Sequence, residues 1–291
     1  MVTKIDSNDT KNAIDLLIGI FGVNNYNLIP IENSVISKSW QYSLNTKQFI
    51  LRTSPRTIDF DKDKYCSEHF SSKLVPIPKI IRMGKANNGL YYCVSEKCKG
   101  IIIDDFEDKY VFRIIPQVLN LAYELRQVRI STEAKYGNFD GEGKAKFDTW
   151  KSYLTNILAV DGFTRILYAK VFKLVKYCPE DKFLIHGDFG LNNILSDEGK
   201  ITGIIDWGDA KYGDFLYDTA WISFWSSKIP YERLFLNYYS QRGISIPYYR
   251  ERLLCYTCFL GINVLKFLQE TKDEKTYGWA LKKLKKAVLK L

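Results

Sequence analysis

An α+β protein of two lobes is what this sequence predicts: a small, mostly antiparallel β lobe followed by a larger helical lobe. Three observations carry the prediction. Residues 28–94 read as short strands separated by polar turns around one helix. The chain after Gly100 places apolar residues at helical spacing over long windows, and one β-like insertion interrupts that helical part.

In the first part the strands are KSWQYSL, KQFILRTS and LYYCVSE, with a helical run from Asp63 to Lys73 and a Pro76-Ile-Pro78 turn between the last two. Residues 1–96 are therefore expected to form the first lobe and 101–291 the second. Residues 97–100, Lys97-Cys98-Lys99-Gly100, serve as the hinge. Beyond it, VFRIIPQVLNLAYELRQV, TWKSYLTNILAV and FTRILYAKVFKLVKY read as helices. The insertion runs from KFLIHGD through ILSD and ITGIID, with Glu198-Gly199 as a hairpin turn between the last two. It puts two loops at strand ends.

With 291 residues, 46% of them hydrophobic and 26% charged, the chain can bury a sizeable core. The sequence shows no apolar run long enough for a signal peptide or a membrane span, so a cytoplasmic protein is expected. Its six cysteines lack the dense spacing of a disulfide scaffold, and Cys255-x-x-Cys258 falls inside an apolar helical run, which favours packing over redox chemistry. Two histidines, His69 and His186, are too few for a zinc site. The net charge of +9 is scattered except in LKKLKKAVLKL, which reads as an amphipathic helix with a solvated lysine face, so neither nucleic acid nor membrane is an expected partner.

The sharpest signal is His186-Gly187-Asp188-Phe189-Gly190-Leu191-Asn192-Asn193, followed by an apolar strand, a turn, a second apolar strand and Ile205-Asp206-Trp207. Phosphoryl transfer needs a carboxylate to orient the attacking hydroxyl and hard oxygen ligands for a divalent metal. Asp188 suits the first role. Asn193 and Asp206, brought together by the hairpin, suit the second.

This stretch, through Gly208-Asp209 to Trp225, resembles the aminoglycoside phosphotransferases, relatives of the protein kinases, and most of all their hygromycin B branch. The strands and helix of the first lobe are similar in order and spacing. The resemblance covers most of the chain, least between 106 and 182 and after Trp225, and implies a protein-kinase-like fold, ATP, magnesium and a small-molecule hydroxyl acceptor. By it Asp188 matches the catalytic aspartate, and Asn193 and Asp206 match the metal ligands. His186 shapes the loop, and Asp218 accepts from the catalytic-loop backbone. Asp214 reads as a helix cap.

Arg52 stands where kinases carry a phosphate-contacting lysine, and it can grip phosphate bidentately. Its acidic helix partner is Asp63 or Glu68, with Asp63 preferred. The segment Glu32–Ser39 lies where a phosphate-covering loop belongs but has no glycine, so the Ser37 hydroxyl would replace backbone donors. Adenine is placed at backbone groups of Glu96, Lys97 and Cys98. A polycationic acceptor calls for carboxylates, taken from Asp209, Glu232, Glu270, Asp273 and Glu274. Trp221, Phe224 and Trp225 read as core from their helical spacing, with one ring bordering the acceptor pocket as the alternative. The alternatives are a metabolic hydroxyl kinase acting on an amino alcohol, homoserine or a sugar amine, and a non-catalytic nucleotide-binding homologue. A protein kinase fits less well, because no DFG-type triplet follows the metal site. A monomer or weak dimer is expected.

Overall fold

The computed structural model of the protein describes residues 5–22, 26–31, 37–158, 161–226 and 228–289. Helix α1 (Ser7–Phe21) comes first, started by an Asp6/Asp9 capping box that the strand-based sequence reading passed over. A five-stranded antiparallel sheet follows, in the order β1 (Ile29–Ile31), β2 (Lys38–Leu44), β3 (Lys47–Ser54), then β5 (Tyr91–Glu96) and β4 (Ile80–Lys85). Strands β2 and β3 have the expected bounds. Helix α2 (Ile58–Phe70) starts five residues before the expected Asp63, because Thr57 opens the first turn ahead of a polar stretch that lacks helical periodicity.

Past the hinge the chain forms β6 (Ile101–Ile102), α3 (Asp108–Gln127), β7 (Tyr136–Phe139), β8 (Ala145–Phe147), α4 (Trp150–Thr155), α5 (Gly162–Leu174), β9 (Phe183–Ile185), β10 (Ile194–Asp197), β11 (Lys200–Ile204), β12 (Lys211–Gly213), α6 (Leu216–Trp225), α7 (Tyr231–Ser240), α8 (Tyr249–Glu270) and α9 (Glu274–Val288). The β10–β11 hairpin turns at Glu198-Gly199, both with positive φ, as the sequence suggested. It is part of a larger β framework. Strand β6 pairs with β10 in one three-stranded sheet, and β7, β8, β9 and β12 make another that the sequence did not announce. Its strands are three or four residues long, too short for alternation to show.

Two apolar cores form. Trp40, Tyr42, Leu51 and Val94 pack on α1 in the smaller one, while Cys66, Phe70, Val75 and Ile77 join the larger core of the second part. Helix α2 thus packs with the larger core although it lies within the first ninety-six residues. Gly100 has φ +80°, and a Cβ there would stand 1.9 Å from the Ser196 carbonyl, so the segment before β6 lies flat on β10 only with glycine. All six cysteines are free, and Cys255 and Cys258 are fully buried.

Candidate active site

The loop from His186 to Asn193 leaves β9 through Gly187, whose φ of +87° and clearance from the Asp209 carbonyl, 2.0 Å for an added Cβ, admit no side chain. Asp218, on the first turn of α6, accepts the His186 N–H at 2.8 Å and the Gly187 N–H at 2.9 Å. It is the backbone anchor the sequence suggested. Burial pushes its carboxyl up to about 6 against those two hydrogen bonds.

His186 is fully buried and donates from Nε2 to the Ile205 carbonyl at 2.9 Å, while its Nδ1 accepts the Asp188 N–H at 3.3 Å. These partners fix one neutral tautomer, and burial lowers its pKa to about 4. The ring therefore ties the catalytic loop to the end of the β10–β11 hairpin. Asn193 donates from Nδ2 to Asp188 twice, to the carbonyl at 2.9 Å and to Oδ2 at 2.8 Å. Burial, and after it the neighbouring Asp206, raises the Asp188 carboxyl to about 7, with Asn193 opposing the rise.

Asp188, Asp206 and Asp209 line one cavity of about 1430 Å³. Asp206 is exposed there in a left-handed conformation, φ 65°, which aspartate tolerates better than most residues. Lys62 and Lys211, on the same wall, are occupied by the scaffold. Lys62 donates to the Gly208 and Ala210 carbonyls at 2.6 and 3.2 Å, and buried Lys211 sits 4.5 Å from the Tyr217 ring.

Arg52 pairs with Asp63 at 2.5 Å, settling the choice of partner, since Glu68 lies beside Lys64 on the surface of α2. Burial opposes the guanidinium charge, but Asp63 outweighs it and the pKa is raised. At the hinge, Glu96 N donates to Lys79 O and Lys97 N to Gln48 O, so both amides serve the sheet. Among the described residues the Cys98 amide donates to no backbone carbonyl. Ser37 stands immediately before β2, and residues 32–36 of the expected phosphate-covering loop lie outside the described residues.

The acceptor side differs most from the sequence reading. Asp209 borders the cavity, but Glu232 and Glu270 do not. Glu232 is on α7, where its carbonyl accepts from the Tyr249 hydroxyl, and Glu270 borders a separate small hollow beside Asp161. Asp273 caps α9 through Thr276, and Glu274 follows it in that helix. The cavity instead draws Asp104 and Asp140 from elements whose sequence carried no motif. Trp221 and Trp225 also border it rather than filling the core, while Phe224 is buried. Their helical spacing holds, Leu216–Trp225 being one helix, but a cavity wall and a core face have the same periodicity. Asp214 is more than a cap. Fully buried, it receives Arg252 at 2.7 and 2.9 Å and the Tyr256 hydroxyl as well as the Leu216 N–H.

The sequence profile of the phosphotransferase enzyme family (APH) matches residues 28–254, the span that contains every one of these loop residues. The chain belongs to that phosphotransferase family. Hygromycin-B 4-O-kinase of Escherichia coli is 26% identical over 211 residues, a match spanning 68% of this chain and 62% of that protein's length. A thermostable mutant of aminoglycoside phosphotransferase APH(4)-Ia, in ternary complex with AMP-PNP and hygromycin B, superposes with a TM-score of 0.83 at 24% identity, covering 95% of this chain and 98% of the other. The GDP complex of aminoglycoside 2′-phosphotransferase-IIIa reaches 0.67 at 16% identity, over 96% and 98% of the two chains. These likenesses establish the two-lobed, kinase-like fold for this phosphotransferase. Among its described residues no helix is long and apolar enough to cross a membrane.

Proposed function

We propose that this protein transfers the γ-phosphoryl group of ATP to a hydroxyl of an aminoglycoside of the hygromycin B kind. The observation that carries the reading is the junction of the catalytic loop and the hairpin end, where Asp188 and Asp206 face one cavity and Asn193 braces Asp188 from behind. The relatives named above, a hygromycin-B 4-O-kinase and a structure holding hygromycin B with an ATP analogue, supply the acceptor class.

The residues present suit magnesium. Asn193 commits its Nδ2 to Asp188, so Oδ1 is its remaining polar atom, and Asp206 adds a carboxylate. Among the described residues no three His, Cys, Asp or Glu side chains gather into a self-sufficient metal cage. One or two protein oxygens completed by nucleotide phosphates are what magnesium ordinarily uses. When bound there, magnesium supplies charge neutralisation for the transferring phosphoryl group.

The chain's own residues do the rest. Asp188 orients the acceptor hydroxyl for in-line attack on the γ-phosphorus and takes its proton as the new P–O bond forms and the bond to the β-phosphate oxygen breaks, leaving ADP. Arg52, held by Asp63, meets the α- and β-phosphates, with Ser37 near the same end of the sheet. The Cys98 amide and the carbonyls of Glu96 and Lys97 receive the adenine edge. Asp104, Asp140 and Asp209 offer carboxylates to an acceptor's ammonium groups from a cavity wall that also carries Lys144 and Lys146, so the positions of individual carboxylates, not the net charge of +9, would select a cation there. An ADP-release assay across hygromycin B, other aminoglycosides, amino alcohols, homoserine and sugars tests the reading. Turnover with hygromycin B supports it. Turnover confined to a small metabolite would replace the acceptor.

A further inference from the structure

We propose that Trp221 is a positioning residue for the catalytic carboxylate: its indole N–H donates to Asp188 and keeps that carboxylate turned toward the acceptor hydroxyl. The inference rests on the phosphotransferase reading of the site and adds a residue that the loop motif does not contain.

The placement follows from α6. Asp218 locks the helix onto the catalytic loop through the His186 and Gly187 amides, and Trp221 lies three residues further along the same helical face. Trp221 and Asp188 both line the cavity. The Trp225 ring, 6.1 Å away and edge-on, holds the indole from the next turn.

Among the described residues the buried indole nitrogen of Trp221 has no partner that meets hydrogen-bond geometry. It nevertheless lies near enough to the Asp188 carboxylate to favour the ionised form. A buried donor without an acceptor is disfavoured, so the nearby carboxylate is its natural target. Catalytic hydrogen bonds are often long or poorly aligned before substrate binds and tighten when the site fills. Asn193 already holds Oδ2 of Asp188 from the loop side at 2.8 Å. A second donor from α6 would fix the remaining rotation of the carboxylate. Indole suits the task because it donates and cannot accept, so it does not compete for the hydroxyl proton.

The test has two arms. In the first, ¹⁵N-labelled protein without substrate gives six indole N–H signals, one for each tryptophan in the sequence. The Trp221 signal is assigned by its loss in Trp221→Phe or, should that variant not fold, in Trp221→His. It should shift when Asp188 is changed to Ala, and a signal unmoved by that change would overturn the proposal. In the second arm, Trp221→Phe should lower kcat by about 10- to 100-fold, the range for a hydrogen bond to a charged group, with KM for ATP unchanged. Trp221→His, which restores a ring N–H, should recover part of the loss. Unchanged kcat in Trp221→Phe would also overturn it. If no acceptor is turned over by the wild type, the functional reading fails, and the indole signal still decides the contact.

Discussion

Asp63 accepts the backbone N–H of Trp207 at 2.8 Å through Oδ1 while its Oδ2 holds Arg52 at 2.5 Å. One α2 carboxylate therefore joins the arginine of β3 to the residue after Asp206, the proposed metal ligand. Lys62, its neighbour in α2, reaches the Gly208 and Ala210 carbonyls of the same loop. The position of α2 and the geometry of the metal loop are one arrangement.

Two variants of Asp63 separate its tasks. Asp63→Asn keeps an oxygen for the Trp207 amide but loses the charge facing Arg52, so KM for ATP should rise and stability should fall by less than in the alanine variant. Asp63→Ala removes both contacts and should cost about 3 kcal/mol of stability, the scale for breaking a buried pair. Urea denaturation and ATP-dependent kinetics together read the difference.

Asp188→Asn should lower kcat on the order of 10³-fold, the general-base contribution, while leaving nucleotide affinity intact. Asp206→Ala should instead weaken magnesium-dependent nucleotide binding, read by titration calorimetry with and without the metal.

His186 sets a pH dependence of stability. Its folded pKa of about 4 lies below the ordinary 6.5, so the neutral ring is favoured in the fold. Its contribution is fully present above pH 6.5 and is lost as pH falls toward 4, since protons bind the unfolded chain first. The shift corresponds to about 3 kcal/mol. His186→Gln should flatten this part of the stability curve, measured by chemical denaturation at closely spaced pH values.

Arg252→Leu should destabilise by about 3–5 kcal/mol because it leaves the Asp214 charge buried without its cation. The double variant with Asp214→Asn should recover much of that loss, since the uncompensated charge is gone. Equal unfolding midpoints for the single and double variants would refute the pairing as the cause.

How far these features are legible in the sequence depends on their chemistry. The His186–Asn193 loop and the hairpin are readable because Asp188, Asn193 and Asp206 lie within nineteen positions and the roles proposed for them demand particular side chains at particular strand ends. Asp218 is legible only through the family resemblance, since an aspartate in the first turn of a helix reads equally well as a helix-terminal charge. The acceptor wall is not. Asp104, Asp140 and Trp221 come together from separate elements, and a lone aspartate or a tryptophan at helical spacing looks the same in a cavity wall as elsewhere. Glu232 and Glu270 drew attention by charge alone, and the fold turns both away from the cavity. Arg252 escaped notice because its partner Asp214 is thirty-eight positions away and the surrounding helix is apolar.

The most direct test of the central claim is product analysis. Hygromycin B incubated with Mg·ATP and the protein, then examined by ³¹P NMR, should yield a phosphate monoester resonance together with ADP, and Asp188→Asn should yield neither at the same enzyme concentration. ADP and free inorganic phosphate without a phosphorylated acceptor, or an equal yield of ester from Asp188→Asn, would contradict the account.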